Sequence, residues 1–169
     1  NKTLFIIAAM MLSFVAGINA APKNVKPFVI PEIREWQGGE GMFNITGKTK
    51  IVSPKENKEL AEVADMLACD YNKLTGTTLK RGKEAGKGNI VLAITNDARL
   101  GAEGYTINID ENIEITATTK RGAIWATRTL LQIAEQNGGN LPKGNIVDYP
   151  DYEMRSFMLD CGRKFIPIS

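Results

Sequence analysis

Apolar residues recur along this chain with two different periods, and each period marks one kind of element. Within residues 55–74, Leu60, Val63, Ala64, Leu67, Ala68, Tyr71 and Leu74 return every three or four positions, while Glu59, Glu62, Asp65 and Lys73 fill the gaps. That spacing collects the apolar side chains on one face of an α-helix. Ahead of it, Ser53-Pro54-Lys55-Glu56 offers a capping hydroxyl, a proline for the first helical position and a glutamate three residues after the serine. The helix is therefore expected to start there and to stop at Thr75-Gly76. A second helix is predicted over residues 120–136, with Ile124, Thr127, Leu131 and Ala134 on one stripe. Arg121, Arg128, Gln132 and Glu135 then face away, and Gly138-Gly139 ends the helix.

Elsewhere the period drops to two. Tyr105, Ile107 and Ile109 alternate with Thr106 and Asn108, and Ile113, Ile115 and Ala117 alternate again after Asp110-Glu111-Asn112, which predicts a hairpin. Ile90-Val91-Leu92, inside residues 89–95, predicts a strand buried on both faces. Short strands are expected at 42–45 and 50–52, a strand end and turn at 146–150, and a further strand at 154–160. Residues 31–41, with Gly38-Gly39, and residues 82–88 read as loops. The expected fold is α+β: a mostly antiparallel sheet with two helices on one face.

The first twenty residues differ in kind. Lys2 precedes an apolar run from Leu4 to Ala16, and small residues close the segment at Ala20-Ala21. A basic start, a short apolar run and a small residue at the cut site describe a secretory signal peptide over residues 1–20. The run is shorter than the roughly 18 to 20 residues that span a bilayer, so no membrane span is expected after cleavage, and the location is periplasmic or secreted. Removing Lys2 leaves 20 basic residues, 21 less one, against 19 acidic ones.

Composition narrows the chemistry. With a formal net charge of +2, the chain has no field that argues for nucleic acid. It has no histidine, which removes Ser-His-Asp and Cys-His systems and the commonest zinc sets. Cys69 and Cys161 are expected to be two separately packed thiols, and neither a metal nor a cofactor is expected. Trp36 and Trp125 are each able to stack on a sugar, although lone tryptophans more often serve packing.

Chemistry concentrates at the end of the chain. An apolar strand over Phe157-Met158-Leu159 runs into Asp160, Arg163 and Lys164, a grouping that suits the polar mouth of a barrel strand as well as a surface ion pair. The run from Asp148-Tyr149-Pro150 through Arg155 to Asp160-Cys161-Gly162-Arg163-Lys164-Phe165 resembles the entry to the catalytic barrel of family 20 β-N-acetylhexosaminidases, a D-x-P turn, an arginine, an apolar strand and D-x-x-R-H-F. Upstream, Gly104-Tyr105-Thr106-Ile107, Ile113-Glu114-Ile115-Thr116-Ala117 and the stretch from Gly122 to Thr129-Leu130-Leu131-Gln132 are similar to that family's accessory-domain strands and its T-L-x-Q helix. The likeness spans about residues 28–167. Lys164 stands where the family usually has histidine, and Ser156 where it usually has glycine.

The resemblance implies an accessory α+β domain over residues 21–147 and, over 148–169, the first strand of a truncated (β/α)8 barrel. It implies removal of terminal β-linked N-acetylglucosamine or N-acetylgalactosamine with retention, the substrate's own acetamido oxygen acting as nucleophile. Arg163 would bind hydroxyls of the terminal sugar through its planar fork, with Asp160 a weaker substrate-binding candidate beside it. The family's catalytic Asp-Glu pair belongs to a later barrel strand, so no catalytic residue is expected in this stretch and the stretch alone is expected to be inactive. The expected partners are a glycan ending in N-acetylhexosamine and the chain's own barrel domain. The rival expectations are a non-catalytic carbohydrate-binding or scaffolding module, or the accessory domain of another glycosidase family.

Overall fold

The computed structural model describes residues 23–156 and Met158. Its strands are β1 (Glu35–Asn44), β2 (Lys50–Val52), β3 (Lys80–Arg81), β4 (Ile90–Ile94), β5 (Tyr105–Ile109), β6 (Ile113–Ala117) and β7 (Asn140–Asp148). Two helices, α1 (Lys58–Thr75) and α2 (Lys120–Gln136), complete it with a short 3-10 turn at Ala98–Leu100. All seven strands join one sheet in the order β1-β7-β5-β6-β4-β2-β3. The fold is α+β, and both helices pack on each other and into one core with the sheet.

The sheet has two halves. β1, β7, β5 and β6 pair antiparallel, as the alternation and the hairpin predict. β6, β4, β2 and β3 pair parallel, with α1 supplying the crossover that a parallel β2–β3 pair needs. Alternation alone does not distinguish those directions, so "mostly antiparallel" describes one half only. β4 also differs from expectation. Ile90 and Leu92 are buried against the helices, but Val91 and Ala93 turn to the open face and are only half-buried. Among the described residues, the helices cover one face of this sheet, not two.

The glycines of residues 31–41 make a bulged strand rather than a loop. β1 pairs with β7 from Glu35 to Gly38 and again from Met42, with the register shifting between them. Asn24 fastens the bulge: its N–H donates to the Gly39 carbonyl at 2.8 Å, and its side-chain amide to the Gly41 and Lys143 carbonyls at 2.7 and 2.9 Å. A Cβ on Gly38 would lie 2.0 Å from the Asn24 carbonyl oxygen, so only glycine admits this crossing. Trp36, half-buried, donates its indole N–H to the same oxygen at 3.0 Å and is a packing residue.

α1 starts later than the Ser53 signal suggests. Asn57 is its cap, accepting from the Leu60 N–H at 3.0 Å, while residues 54–57 form a turn closed by Asn57 N–H to the Pro54 carbonyl at 3.1 Å. The Ser53 hydroxyl is taken by Arg81, which also reaches the Ala61 carbonyl and Asp65. Gly76 ends the helix in the left-handed region at φ 74°, as expected. Leu74 and Cys69 are exposed rather than packed, because the buried face is set by Leu60, Val63, Ala64, Leu67 and Tyr71. In α2 the buried stripe is rotated to Ala123, Ala126, Leu130 and Ile133, which leaves Ile124 and Leu131 at its margin. Residues 154–156 form no strand; Met154 is exposed and no neighbouring strand pairs with this stretch among the described residues. The leader over residues 1–20 and most of the strand expected at 154–160 lie outside the described residues.

Candidate functional site

Where β7 ends, the chain turns back beside α2, and a cleft of about 610 Å³ opens between them. Its floor is built by close backbone approach. A Cβ on Gly104 would sit 2.2 Å from the Leu100 carbonyl oxygen, and one on Gly122 would sit 2.4 Å from that of Gly104. The start of β5 and the first turn of α2 thus touch with no side chain between them, which brings Tyr105 under Thr129. The Tyr105 hydroxyl donates to Asp148 Oδ2 at 2.9 Å and stands 2.6 Å from the Thr129 hydroxyl, which is then the donor to it. Burial pushes the Tyr105 phenol far above its ordinary range, and the neighbouring Asp148 carboxylate acts in the same direction.

The walls are α2 and the segment before β1. Gln132 pairs like a strand with the backbone of Ile30: Ile30 N–H donates to Oε1 and Nε2 donates to the Ile30 carbonyl, both at 3.0 Å. Gln136 holds the Phe28 carbonyl at 2.9 Å. Gln132 therefore does not face away into solvent but straps residues 28–30 along the helix. Trp125 stands 45% exposed on the same wall, so it is not consumed by packing.

The exit of the chain is held by arginines. Arg34 Nε donates to the Tyr149 carbonyl at 2.7 Å, its Nη2 pairs with Asp151, and its guanidinium lies 4.3 Å over the Tyr149 ring. The Arg34 backbone N–H reaches Asp148 Oδ1 at 3.3 Å. Further along, Arg155 pairs with Glu103 and donates to the Tyr152 carbonyl at 2.6 Å. Arg155 first, and Arg121 after it, hold the Glu103 carboxyl below the usual carboxylate range. Arg128 donates through Nη1 to Asp70 at 2.7 Å, while its buried Nη2 has no partner among the described residues.

Asp148, Asp151 and Glu103 are thus all engaged in holding the exit turn, an arrangement suited to positioning a chain rather than to moving protons. Asp110-Glu111 has the same character, because Asp110 pairs with Lys143 at 3.0 Å and Glu111 with Lys87. Arg163 and Asp160, the substrate-binding candidates, lie outside the described residues. Arg34 and the Tyr105–Thr129–Asp148 set were not picked out by sequence reasoning as a group, since nothing in local spacing says that residues so far apart meet.

The family model for glycosyl hydrolase family 20, domain 2, matches residues 26–149. The chain belongs to glycosyl hydrolase family 20. A lacto-N-biosidase of Bifidobacterium bifidum is 31% identical over 150 residues, covering 85% of this chain and 13% of that protein. A β-hexosaminidase of Porphyromonas gingivalis is 28% identical over 152 residues, covering 83% of this chain and 19% of that protein. Among solved structures, the family 20 β-N-acetylhexosaminidase of Streptomyces coelicolor A3(2) superposes with a TM-score of 0.71 at 31% identity, over 86% of this chain and 31% of that one. This family 20 chain therefore spans less than a third of the length of each of these relatives. Among the residues that carried the resemblance, Tyr105, Thr129, Gln132 and the Asp148-Tyr149-Pro150 turn line the cleft.

Proposed function

We propose that this chain is the N-terminal part of an exported β-N-acetylhexosaminidase, with an accessory domain over residues 21–147 and the catalytic barrel entered from residue 148. The carrying observation is the match of residues 26–149 to one domain of a family whose similar members include a β-hexosaminidase and a solved β-N-acetylhexosaminidase. The arginine-held exit turn supports the reading, because it aims the chain out of the fold at a defined place. The substrate is a glycan with a terminal β-linked N-acetylhexosamine. Its acetamido oxygen attacks the anomeric carbon while an acidic group protonates the leaving oxygen, and water then opens the cyclic intermediate with retention. Arg163 donates to hydroxyls of the terminal sugar, with Asp160 beside it, and the acid and the acetamide-orienting residue come from later in the polypeptide.

Release of nitrophenol from an aryl N-acetyl-β-glucosaminide tests this. The polypeptide extended beyond residue 169 is expected to turn it over and to be inhibited by an oxazoline mimic, and the 169-residue chain is expected to be silent. Arg163→Lys in the extended protein keeps the charge but loses the fork. Charge-assisted hydrogen bonds are worth about 1.5–3 kcal/mol each, so kcat/KM should fall roughly ten- to a thousandfold with little change in melting. Full activity of Arg163→Lys with a much lower Tm would make Arg163 a structural ion pair instead. Cell fractionation checks the export: activity confined to the cytoplasm contradicts it.

A further inference from the structure

Charge is unevenly spread over this molecule. Residues 46–58 and 77–89 carry eight basic residues against two acidic ones, Glu56 and Glu84, while the other described residues carry ten against sixteen. The two segments meet at one edge of the sheet, because β2 pairs with β3 and Arg81 of β3 reaches Ser53 and the Ala61 carbonyl. Seven lysines make no ion pair among the described residues, and six of them, Lys48, Lys50, Lys55, Lys58, Lys80 and Lys83, lie here. Lys50 and Lys80 stand opposite each other across the parallel pair, an arrangement of like charges that destabilises a sheet. Gly82 packs against Lys50: a Cβ there would lie 3.1 Å from that of Lys50, and Lys83 is the next residue of the chain. Lys58 opens α1, where the helix dipole favours an anion. Lysine on the edge strand alone would serve to block pairing with another sheet, but Lys50 belongs to β2, and Lys48, Lys55 and Lys58 to no strand.

The edge thus holds cations whose repulsion the described fold does not relieve, and an anion from outside would relieve it. Its chemistry narrows the partner. Neither segment contains an exposed large apolar side chain to enter lipid. Arg81, the only guanidinium in them, is already held by Asp65 and Ser53, so the forked recognition that suits phosphate is taken up within the fold. What remains is a set of point charges on strands about 4.8 Å apart, suited to a chain that bears spaced carboxylates or sulfates. We propose that the β2–β3 edge is a docking strip for an acidic glycan, whose carboxylate or sulfate groups run past Lys48, Lys50, Lys80 and Lys83. That the polyanion is a glycan rests on the function proposed above. Four strands separate β3 from β7, which sets the strip about 24 Å across the sheet from the strand through which the chain leaves the fold. The strip holds an acidic stretch of glycan by charge and leaves the cleft beside β7 untouched.

Fluorescence anisotropy with labelled hyaluronan, which carries carboxylates, and labelled dextran sulfate tests this, with neutral dextran, phosphatidylglycerol vesicles and duplex DNA as comparisons. One or both acidic glycans are expected to bind the 169-residue chain at about 0.15 M salt, and neutral dextran is not. Raising the salt to about 1 M, where the screening length falls to about 3 Å, should release them. Lys50→Gln combined with Lys80→Gln should weaken binding about three- to tenfold, since exposed charge pairs are individually weak. Its Tm should stay the same or rise, because the opposed charges are gone. Should it fall, Lys48→Gln with Lys83→Gln, outside the strands, must show the same weakening. Lys73→Gln with Lys120→Gln removes as much charge elsewhere and should bind like the parent. Failure of both acidic glycans to bind, equal weakening in the Lys73/Lys120 variant, or vesicles or DNA binding as tightly as the better glycan overturns the proposal. Release of nitrophenol by the polypeptide extended beyond residue 169 separates the two readings. Glycan binding without release removes the hexosaminidase and keeps the strip; release, with full glycan binding by the Lys50/Lys80 variant, removes the strip alone.

Discussion

The hydroxyl of Tyr105 joins α2 to the end of β7, and two partners depend on it. Tyr105→Phe keeps the ring's burial but strands the Thr129 hydroxyl and one oxygen of Asp148, so the variant should lose about 1–3 kcal/mol in urea unfolding. The phenol also makes stability depend on alkaline pH. Its folded pKa is raised above the ordinary value of 10.0, so the fold holds the proton that the unfolded chain gives up. That contribution is fully present below the unfolded value and is lost as pH rises past it toward the folded one. Ultraviolet titration should show one tyrosine ionising only as the chain unfolds, and Tyr105→Phe should remove that late step. A late step that persists in the variant would assign it to Tyr71, whose burial also raises its phenol. Sequence reading had Tyr105 on a strand and Thr129 on a helix, yet pairing them needs the Gly104–Gly122 contact, which no periodicity encodes. Arg34 was equally hidden, in a stretch without regular pattern.

At the scale of elements, the two helices were legible because their apolar stripes are long and their ends are marked. Their details were not, since a cap signal is ambiguous wherever two cap-forming residues stand close together. Asn57→Ala should cost about 0.5–2 kcal/mol by removing the bond to Leu60, and the loss should show as a lower urea midpoint. Ser53→Ala should cost less and act through the Arg81 contact; the reverse order would restore Ser53 as the cap. Gly122→Ala places a methyl 2.4 Å from a carbonyl oxygen that cannot swing aside, and it should destabilise by about 1–3 kcal/mol. Gly47→Ala, with nothing within 4 Å of its Cβ, is the matching control and should melt like the parent. The first part of β1 escaped sequence reading, which expected only its end at 42–45, because glycine suits a bulge and a loop alike, and what selects the bulge is Asn24, a residue on a different segment. The parallel half of the sheet escaped for a related reason: direction is set by connections, not by alternation.

At the scale of the whole molecule, the placement of β7 governs how the fold is completed. β7 lies between β1 and β5, and β1 has no other neighbour in the sheet among the described residues. The first described strand to leave the ribosome must therefore wait for that partner until nearly the last described element has been made. A nascent chain stopped after Gln136 would contain both helices and the hairpin but an open slot between β1 and β5, with Leu141 and Ile146 missing from the core. Such truncated chains should bind hydrophobic dyes and resist cooperative melting, whereas chains reaching Asp148 should not. The pairing is distant in sequence, so refolding should be slow for the size of the domain and most sensitive to changes in β7. In the cell, synthesis time thus becomes part of folding: the β1 edge has to be guarded until β7 arrives to close it.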